Sequence, residues 1–190
     1  VMAIYEMGPW ATAVERAMVT QLGAEIGYPA GSFAGFVTSG GSIANLTSLL
    51  TARNVLLDNA WQQGIQDARR LAFIVQADSH YCVTRAAGIL GIGTDQIVKI
   101  AVDENRRMIP AELDRAIHEL QRQNRQIIAV AASACATPIG AFDPLEEIAT
   151  ICEKHDIWFH VDAAHGGAAL LSDQHRHLVA GIEKADSVVW

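Results

Sequence analysis

A glycine-hydroxyl turn, "TSGGS" at residues 38–42, directly precedes a helical pattern and could bind an anion. Free N–H groups and the positive end of the helix dipole favour a phosphate at such a place, and glycines let it approach closely. The same residues are also typical of a tight turn in which Ser42 caps the helix. The turn lacks the lysine of a P-loop, so by itself it does not distinguish a phosphate-binding site from a helix N-cap.

Three further polar side chains lie at or shortly after the ends of apolar segments of the chain. Asp162 ends the segment "IWFHV", and a buried carboxylate without a partner costs several kcal/mol. Its partner is either structural, in an ion pair or helix cap, or a cationic atom of a ligand. His80 is compatible with a buried histidine of the core as well as with a site residue. Thr137, taken alone, would be interpreted as an ordinary loop residue.

A metal site is a competing interpretation, because five metal-ligating side chains follow one another closely: His160, Asp162, His165, His175 and His177. Strand alternation places His160 and Asp162 on one face, but His165 lies beyond a turn. The cluster contains no H-E-x-x-H helix and no cysteine, so we expect no metal ion.

The elements that must position these residues alternate along the chain. Apolar strands are predicted at residues 71–76, 96–102, 126–134, 157–162 and 185–190, with helical patterns between them. Two helices carry end signals: the first closes at Gly27 and Pro29, and another begins with Asp143 as N-cap and Glu146 completing a capping box. The pattern predicts an α/β domain whose mainly parallel sheet is covered by helices on both faces.

The predicted fold would bring the polar residues together. Ligands of open α/β sheets bind beyond the carboxyl ends of the strands. His80, Thr137 and Asp162 each follow a predicted strand, so we expect them at one edge of the sheet with the glycine turn.

Composition narrows the function classes. The net charge of −7 argues against a nucleic-acid partner, and no apolar run has the length of a membrane span. The three cysteines are widely spaced and form no C-x-x-C pair, which favours a reducing, cytoplasmic setting.

Four stretches carry a resemblance to one family: "TSGGSIANLTSLLTAR", "SHYCVTRAAGILGIG", "TPIGAFDPLEEIATICEKHDIWFHVDAAHGG" and "HRHLVAGIEKADSVVW". In this order they resemble the group II amino-acid decarboxylases, which depend on pyridoxal 5'-phosphate (PLP). That family includes glutamate, aromatic amino-acid and diaminobutyrate decarboxylases. The resemblance runs over nearly the whole chain.

The resemblance implies the PLP-dependent transferase fold of type I, with a large domain built on a mainly parallel seven-stranded sheet. It also implies a smaller C-terminal domain and a homodimer with the active site at the subunit interface. We expect residues 1–190 to be an incomplete PLP-binding large domain, inactive by itself. The lysine that binds PLP covalently in the family is expected beyond the last strand, since Lys99, Lys154 and Lys184 fall elsewhere.

The resemblance also implies roles for individual residues. Gly41 and Ser42 would hold the cofactor phosphate, and His80 would stack on the pyridine ring. Asp162 would pair with the ring nitrogen, and Ala164 would pack against the other face of the ring. Thr137 matches a threonine near the ring, so the expected catalytic residues are His80, Asp162 and Thr137.

The expected reaction is the decarboxylation of an amino acid to an amine and carbon dioxide. Other PLP enzymes of this fold, namely aminotransferases, desulfurases and aldehyde-lyases, share the phosphate turn and Asp162. A non-catalytic PLP- or phosphate-binding domain without a lysine is a further alternative. Ile43 and His165 depart from the family pattern and bear on the choice of substrate, which the sequence leaves open.

Overall fold

The computed structural model describes residues 7–190 of the chain, and the chain divides into two compact units. The first unit extends to Ser39 and the second runs from Gly40 to Trp190.

The first unit is built on helix α1, Pro9–Ile26, which begins with a proline at its first turn. The helix ends at Gly27, whose φ of 104° is left-handed and whose N–H bonds back to the carbonyls of Gly23 and Ala24. The predicted end at Gly27 is therefore confirmed. A side chain at Gly23 would collide with the ring of Phe33, which packs directly on the helix backbone.

The second unit alternates helices and strands along the chain. Its elements are α2 (Gly41–Leu56), α3 (Ala60–Gln63), β1 (Leu71–Gln76), α4 (Tyr81–Ile89), β2 (Ile97–Ile100), α5 (Pro110–Arg122), β3 (Gln126–Ser133), α6 (Leu145–His155), β4 (Trp158–Asp162) and β5 (Ser187–Val189). Short 3-10 turns occupy Ala68–Arg70, Thr94–Gln96, Gly167–Leu171, Arg176–Val179 and Ile182–Lys184.

The five strands form one sheet in the order β2-β1-β3-β4-β5, and every described pair is parallel. The strand order reverses between β1 and β3, so the loops after these two strands leave the sheet on either side of a crevice. Ser133 pairs with Asp162, and Asp162 pairs with Val189, so the last residues of β3, β4 and β5 lie side by side.

Helices cover both faces of the sheet, which confirms the predicted α/β architecture. Helix α4 connects β1 to β2, and α5 connects β2 to β3 in the opposite direction across the sheet. Since connections between parallel strands are right-handed, the two helices lie on opposite faces of the sheet. Helices α2 and α4 pack together over β1 and β3, while α5 and α6 pack together on the other side. The inner stripe predicted for α5, Leu113, Ile117 and Leu120, is buried as expected.

The predicted start of α6 is wrong. The helix begins at Leu145, its N-cap is Pro144, and no side chain caps it. Asp143 is buried and accepts hydrogen bonds from the backbone N–H of Met108 and of Ser133, each at 2.7 Å. The carboxylate therefore joins the end of β3 to a distant segment, because two buried backbone donors compete for it more strongly than the helix terminus does.

No helix within residues 7–190 has the length and apolar character needed to cross a membrane. The three cysteines are buried and unpaired.

Candidate active site

The N-terminus of α2 presents backbone donors. The N-cap is Gly40, whose φ of 145° lies in a region that favours glycine, and no side chain caps the helix. The carbonyl of Gly40 accepts from Ile43 and Ala44, whereas the N–H groups of Gly41 and Ser42 bond to none of the described residues. Two free N–H groups at the positive end of a 16-residue helix form an anion-binding position.

Ser42 is the second residue of α2, so the alternative in which it caps the helix is wrong. Its half-buried side chain instead lines a cavity of about 320 Å³ between α2 and α4, together with Cys82 and Arg85. Because the helix starts two residues earlier than a Ser42 cap would require, the Ser42 hydroxyl is available to a ligand.

Asp162 and Ala164 lie directly beside this helix terminus. The backbone N–H of Ala164 donates to Oδ1 of Asp162 at 3.3 Å, while Oδ2 accepts no hydrogen bond within the described part of the chain. A Cβ placed on Gly41 would lie only 3.0 Å from the Cβ of Ala164, so the turn after β4 touches the first turn of α2. The half-buried carboxylate of Asp162 thus has one oxygen open to a ligand.

His80 is linked to the start of α2 through α4, the helix that packs on α2. It is the N-cap of that helix, and its Nδ1 accepts from the backbone N–H of Cys82 at 3.3 Å. Burial, with a further contribution from the negative charge of Asp162, raises the pKa of the Cys82 thiol to about 11. Cys82 therefore lies within electrostatic reach of Asp162, lines the same cavity as Ser42 and fixes the ring of His80.

Thr137 is less closely associated with the other candidate site residues. It is exposed in the loop after β3, where Ala136 bonds to Ala141 and Gly140 bonds back to Ala136. The base of that loop does join the site, because Gly166 donates to the carbonyl of Ala134 at 3.1 Å. Thr137 itself makes no hydrogen bond with any residue in the described range, so its role stays a prediction.

His160 is not available as a metal ligand. Both of its ring nitrogens already form hydrogen bonds, Nε2 with Asn45 Oδ1 at 2.8 Å and Nδ1 with Ser187 Oγ at 2.9 Å. Sequence reasoning weighed His160 only as a metal ligand and gave Asn45 and Ser187 no role. The available signals were the two-residue spacing of His160 and Asp162 and the four-residue spacing of Gly41 and Asn45, each of which places a pair on one face.

The three lysines lie where the sequence predicted. Lys99 is exposed in β2, Lys154 is near the end of α6 and Lys184 precedes β5. Lys154 pairs with Asp114 at 2.9 Å and Lys184 with Glu146 at 2.7 Å, so both are engaged in surface ion pairs.

At the carboxyl edge of the sheet, Ala164 thus contacts both Gly41 and Asp162, and Cys82 links Ser42 and His80 to the same region. This region offers N–H donors at one end and a carboxylate oxygen at the other. A molecule with a phosphate at one end and a protonated ring nitrogen at the other fits this donor set, and PLP has both groups.

Comparison with known proteins identifies relatives over the whole chain. Residues 1–190 match the family model described as the pyridoxal-dependent decarboxylase conserved domain. The chain is 40% identical over 186 residues to the cysteine sulfinic acid decarboxylase of Mus musculus, covering 98% of this chain and 37% of that protein. It is 38% identical over 186 residues to the acidic amino acid decarboxylase GADL1 of Bos taurus, covering 98% of this chain and 35% of that protein.

A solved structure gives the same result for the fold. The glutamate decarboxylase domain of a diaminobutyrate-pyruvate transaminase and L-2,4-diaminobutyrate decarboxylase from Vibrio parahaemolyticus matches with a TM-score of 0.94 at 30% identity, covering 99% of this chain and 42% of that one. The predicted fold type I of PLP-dependent enzymes is thereby confirmed. The chain spans little more than a third of the length of the curated relatives it matches.

Proposed function

Because the chain belongs to the pyridoxal-dependent decarboxylase family, we propose that it is the cofactor-binding part of a PLP-dependent amino-acid decarboxylase. The observation that carries the proposal is the contact between the start of α2 and the turn that follows Asp162. That contact sets a phosphate-binding helix terminus beside a carboxylate, as the two ends of PLP require.

In this proposal Gly41 and Ser42 hold the phosphate through their backbone N–H groups, with the Ser42 hydroxyl as a third donor. A bound PLP supplies a protonated pyridine ring that takes up the electron pair left on the substrate Cα as carbon dioxide departs. The carboxylate of Asp162 holds the proton on the ring nitrogen, because a nearby negative charge favours the protonated form.

Two side chains would fix the plane of the ring. His80 faces it from the N-terminus of α4, held by the N–H of Cys82, and Ala164 packs on its other face. A fixed ring plane matters because the bond that breaks must stand perpendicular to it, so orientation selects decarboxylation over other reactions. Thr137 belongs to this proposal as a residue near the ring, supported by its position in the loop after β3.

An acidic amino acid is the substrate class that the comparisons favour. The relatives that are 38–40% identical are named for cysteine sulfinic acid and for acidic amino acids. We extend that class to this chain as part of the proposal.

The proposed partner is a second copy of the protein. Three large apolar side chains beside the cavity between α2 and α4 are exposed, Ile43 by 48%, Tyr81 by 63% and Ile89 by 63%. An apolar rim next to the site suits a subunit interface that completes the active site. A cytoplasmic location, with neither nucleic acid nor membrane as a partner, completes the proposal. Sedimentation of the complete polypeptide tests the dimer, and a monomer at micromolar concentration would contradict it.

The activity is tested on the complete polypeptide with PLP and a panel of amino acids. The panel contains cysteine sulfinate, aspartate, glutamate, diaminobutyrate and an aromatic amino acid, and carbon dioxide and amine are measured for each. We expect equal amounts of both products from an acidic substrate. A keto acid product would identify an aminotransferase instead, and failure to bind PLP would refute the cofactor site itself.

A further inference from the structure

A chain of four hydrogen bonds joins three elements behind the candidate site. The indole N–H of Trp158 donates to Ser187 Oγ at 2.9 Å, and Ser187 Oγ lies 2.9 Å from His160 Nδ1. His160 Nε2 lies 2.8 Å from Asn45 Oδ1, and Asn45 Nδ2 donates to the carbonyl of Gly41 at 2.9 Å. The chain thereby connects β5, β4 and the first turn of α2.

The chain has one consistent direction. An indole N–H can only donate, so the Ser187 oxygen accepts and its own proton is free for His160 Nδ1. Because Asn45 uses its amide group on Gly41, its oxygen faces His160 and needs a donor. His160 is therefore the neutral tautomer with its proton on Nε2, and every member of the chain has a partner.

The environment of His160 keeps it neutral. The side chain is fully buried, and burial lowers its pKa to about 4, although the negative charge of Asp162 acts in the opposite direction. A second proton on the ring would have to sit on Nδ1, facing the Ser187 hydroxyl, and would reverse the hydrogen bond between His160 and Ser187. The network is thus stable across the neutral pH range.

The chain runs between the two ends of the proposed PLP site. At one end, Asn45 holds the carbonyl of Gly41, and the N–H groups of Gly41 and Ser42 are the phosphate donors. At the other end, Asp162 lies two residues beyond His160 on the same face of β4. Apolar contacts between a helix and a sheet tolerate small sliding movements, whereas hydrogen bonds fix distance and direction.

We propose that His160 is a positioning residue that holds the start of α2 in register with the carboxyl end of β4, and so sets the separation of the phosphate and ring-nitrogen subsites. The proposal rests on the proposed function, since those subsites belong to PLP. His160 contacts neither cofactor nor substrate and acts through Asn45 and Gly41.

The test compares PLP dissociation constants of the complete polypeptide and its variants, measured by titration. His160→Leu removes both ring nitrogens and leaves Asn45 Oδ1 and the hydroxyl proton of Ser187 without their partner, so we expect the dissociation constant to rise about tenfold. His160→Gln keeps an amide N–H that reaches Asn45, and we expect it to restore affinity to within about threefold. Ser187→Ala removes the group that selects the tautomer, and its effect should fall between those two.

A matched control separates positioning from general destabilisation. Ile117→Val shortens a fully buried side chain of α5, on the face of the sheet opposite α2, and lowers stability. We expect the control to bind PLP like the wild type. Should His160→Leu fail to fold, Ser187→Ala still decides the question, because unchanged PLP affinity in that variant overturns the positioning role.

The outcomes are distinguishable from failure of the proposed function. A wild-type protein that binds no PLP refutes the cofactor site. A wild type that binds PLP, together with unchanged affinities in His160→Leu and Ser187→Ala, overturns only the positioning role. An Ile117→Val control that weakens PLP binding as much as His160→Leu would also overturn it.

Discussion

Replacing Gly41 with alanine would separate the cofactor site from the stability of the fold. The added Cβ would lie 3.0 Å from the Cβ of Ala164, which is closer than ordinary van der Waals contact. Ala164 would have to move by a few tenths of an ångström, and the methyl group would enter the space in which the phosphate and ring are expected.

The expected change in the unfolding free energy of Gly41→Ala is the sum of two opposing effects. Alanine in place of glycine in a helix stabilises by about 0.5–1 kcal/mol, whereas overpacking typically costs about 1–3 kcal/mol. Ala164 is exposed and lies on a turn, so it can move in the absence of cofactor. We expect the unfolding free energy of the cofactor-free protein to change by less than about 1 kcal/mol, and the PLP dissociation constant to rise about tenfold.

The assay pairs urea unfolding of the cofactor-free protein with PLP titration, both on the complete polypeptide. Gly88→Ala is the matched control, because a Cβ at Gly88, also helical, would lie 3.8 Å from Thr94 Cγ2, an ordinary contact. The control should bind PLP normally. Normal PLP affinity in Gly41→Ala would refute the assignment of the phosphate subsite to the start of α2.

Three further substitutions test other parts of the account. Asp162→Ala should weaken PLP binding and lower turnover about 100-fold or more, because the ring nitrogen loses its anion; steady-state kinetics near the wild-type rate would exclude that role. Ser42→Ala should raise the PLP dissociation constant about tenfold with unchanged urea unfolding, since Ser42 is not the helix cap; unchanged affinity would remove its hydroxyl from the phosphate subsite. Burial raises the pKa of Asp143 from 3.8 to about 6, so the stabilisation from this carboxyl is complete below pH 3.8 and is lost as the pH rises through about 6. Asp143→Ala should therefore cost about 1 kcal/mol more in urea unfolding at pH 5 than at pH 8, and an equal cost at both values would contradict the raised pKa.

The strands were predictable because their apolar runs have no competing interpretation. Segments such as "LAFIVQ" are buried on both sides, and β1 spans those six residues, Leu71–Gln76. The end of α1 at Gly27 was equally clear, since a left-handed residue after a helix favours glycine.

The polar side chains were less predictable, because their partners are distant in the sequence. Asp143 has the spacing of a helix cap, yet the N–H of Met108, 35 residues away, binds its carboxylate. His160 and Asn45 are 115 residues apart and meet only when α2 packs on β4. Local patterns carry no information on such pairs, whereas the sheet edge rule predicted that Asp162 and His80 lie at the same edge, and both lie at the carboxyl ends of strands of one parallel sheet.

The most direct test of the central claim is a crystal structure of the complete polypeptide with PLP. The account predicts phosphate oxygens about 2.7–3.2 Å from the N–H groups of Gly41 and Ser42. The pyridine ring should lie between His80 and Ala164 with its nitrogen at the carboxylate of Asp162. A phosphate bound away from the start of α2, or a ring nitrogen without contact to Asp162, would contradict the account.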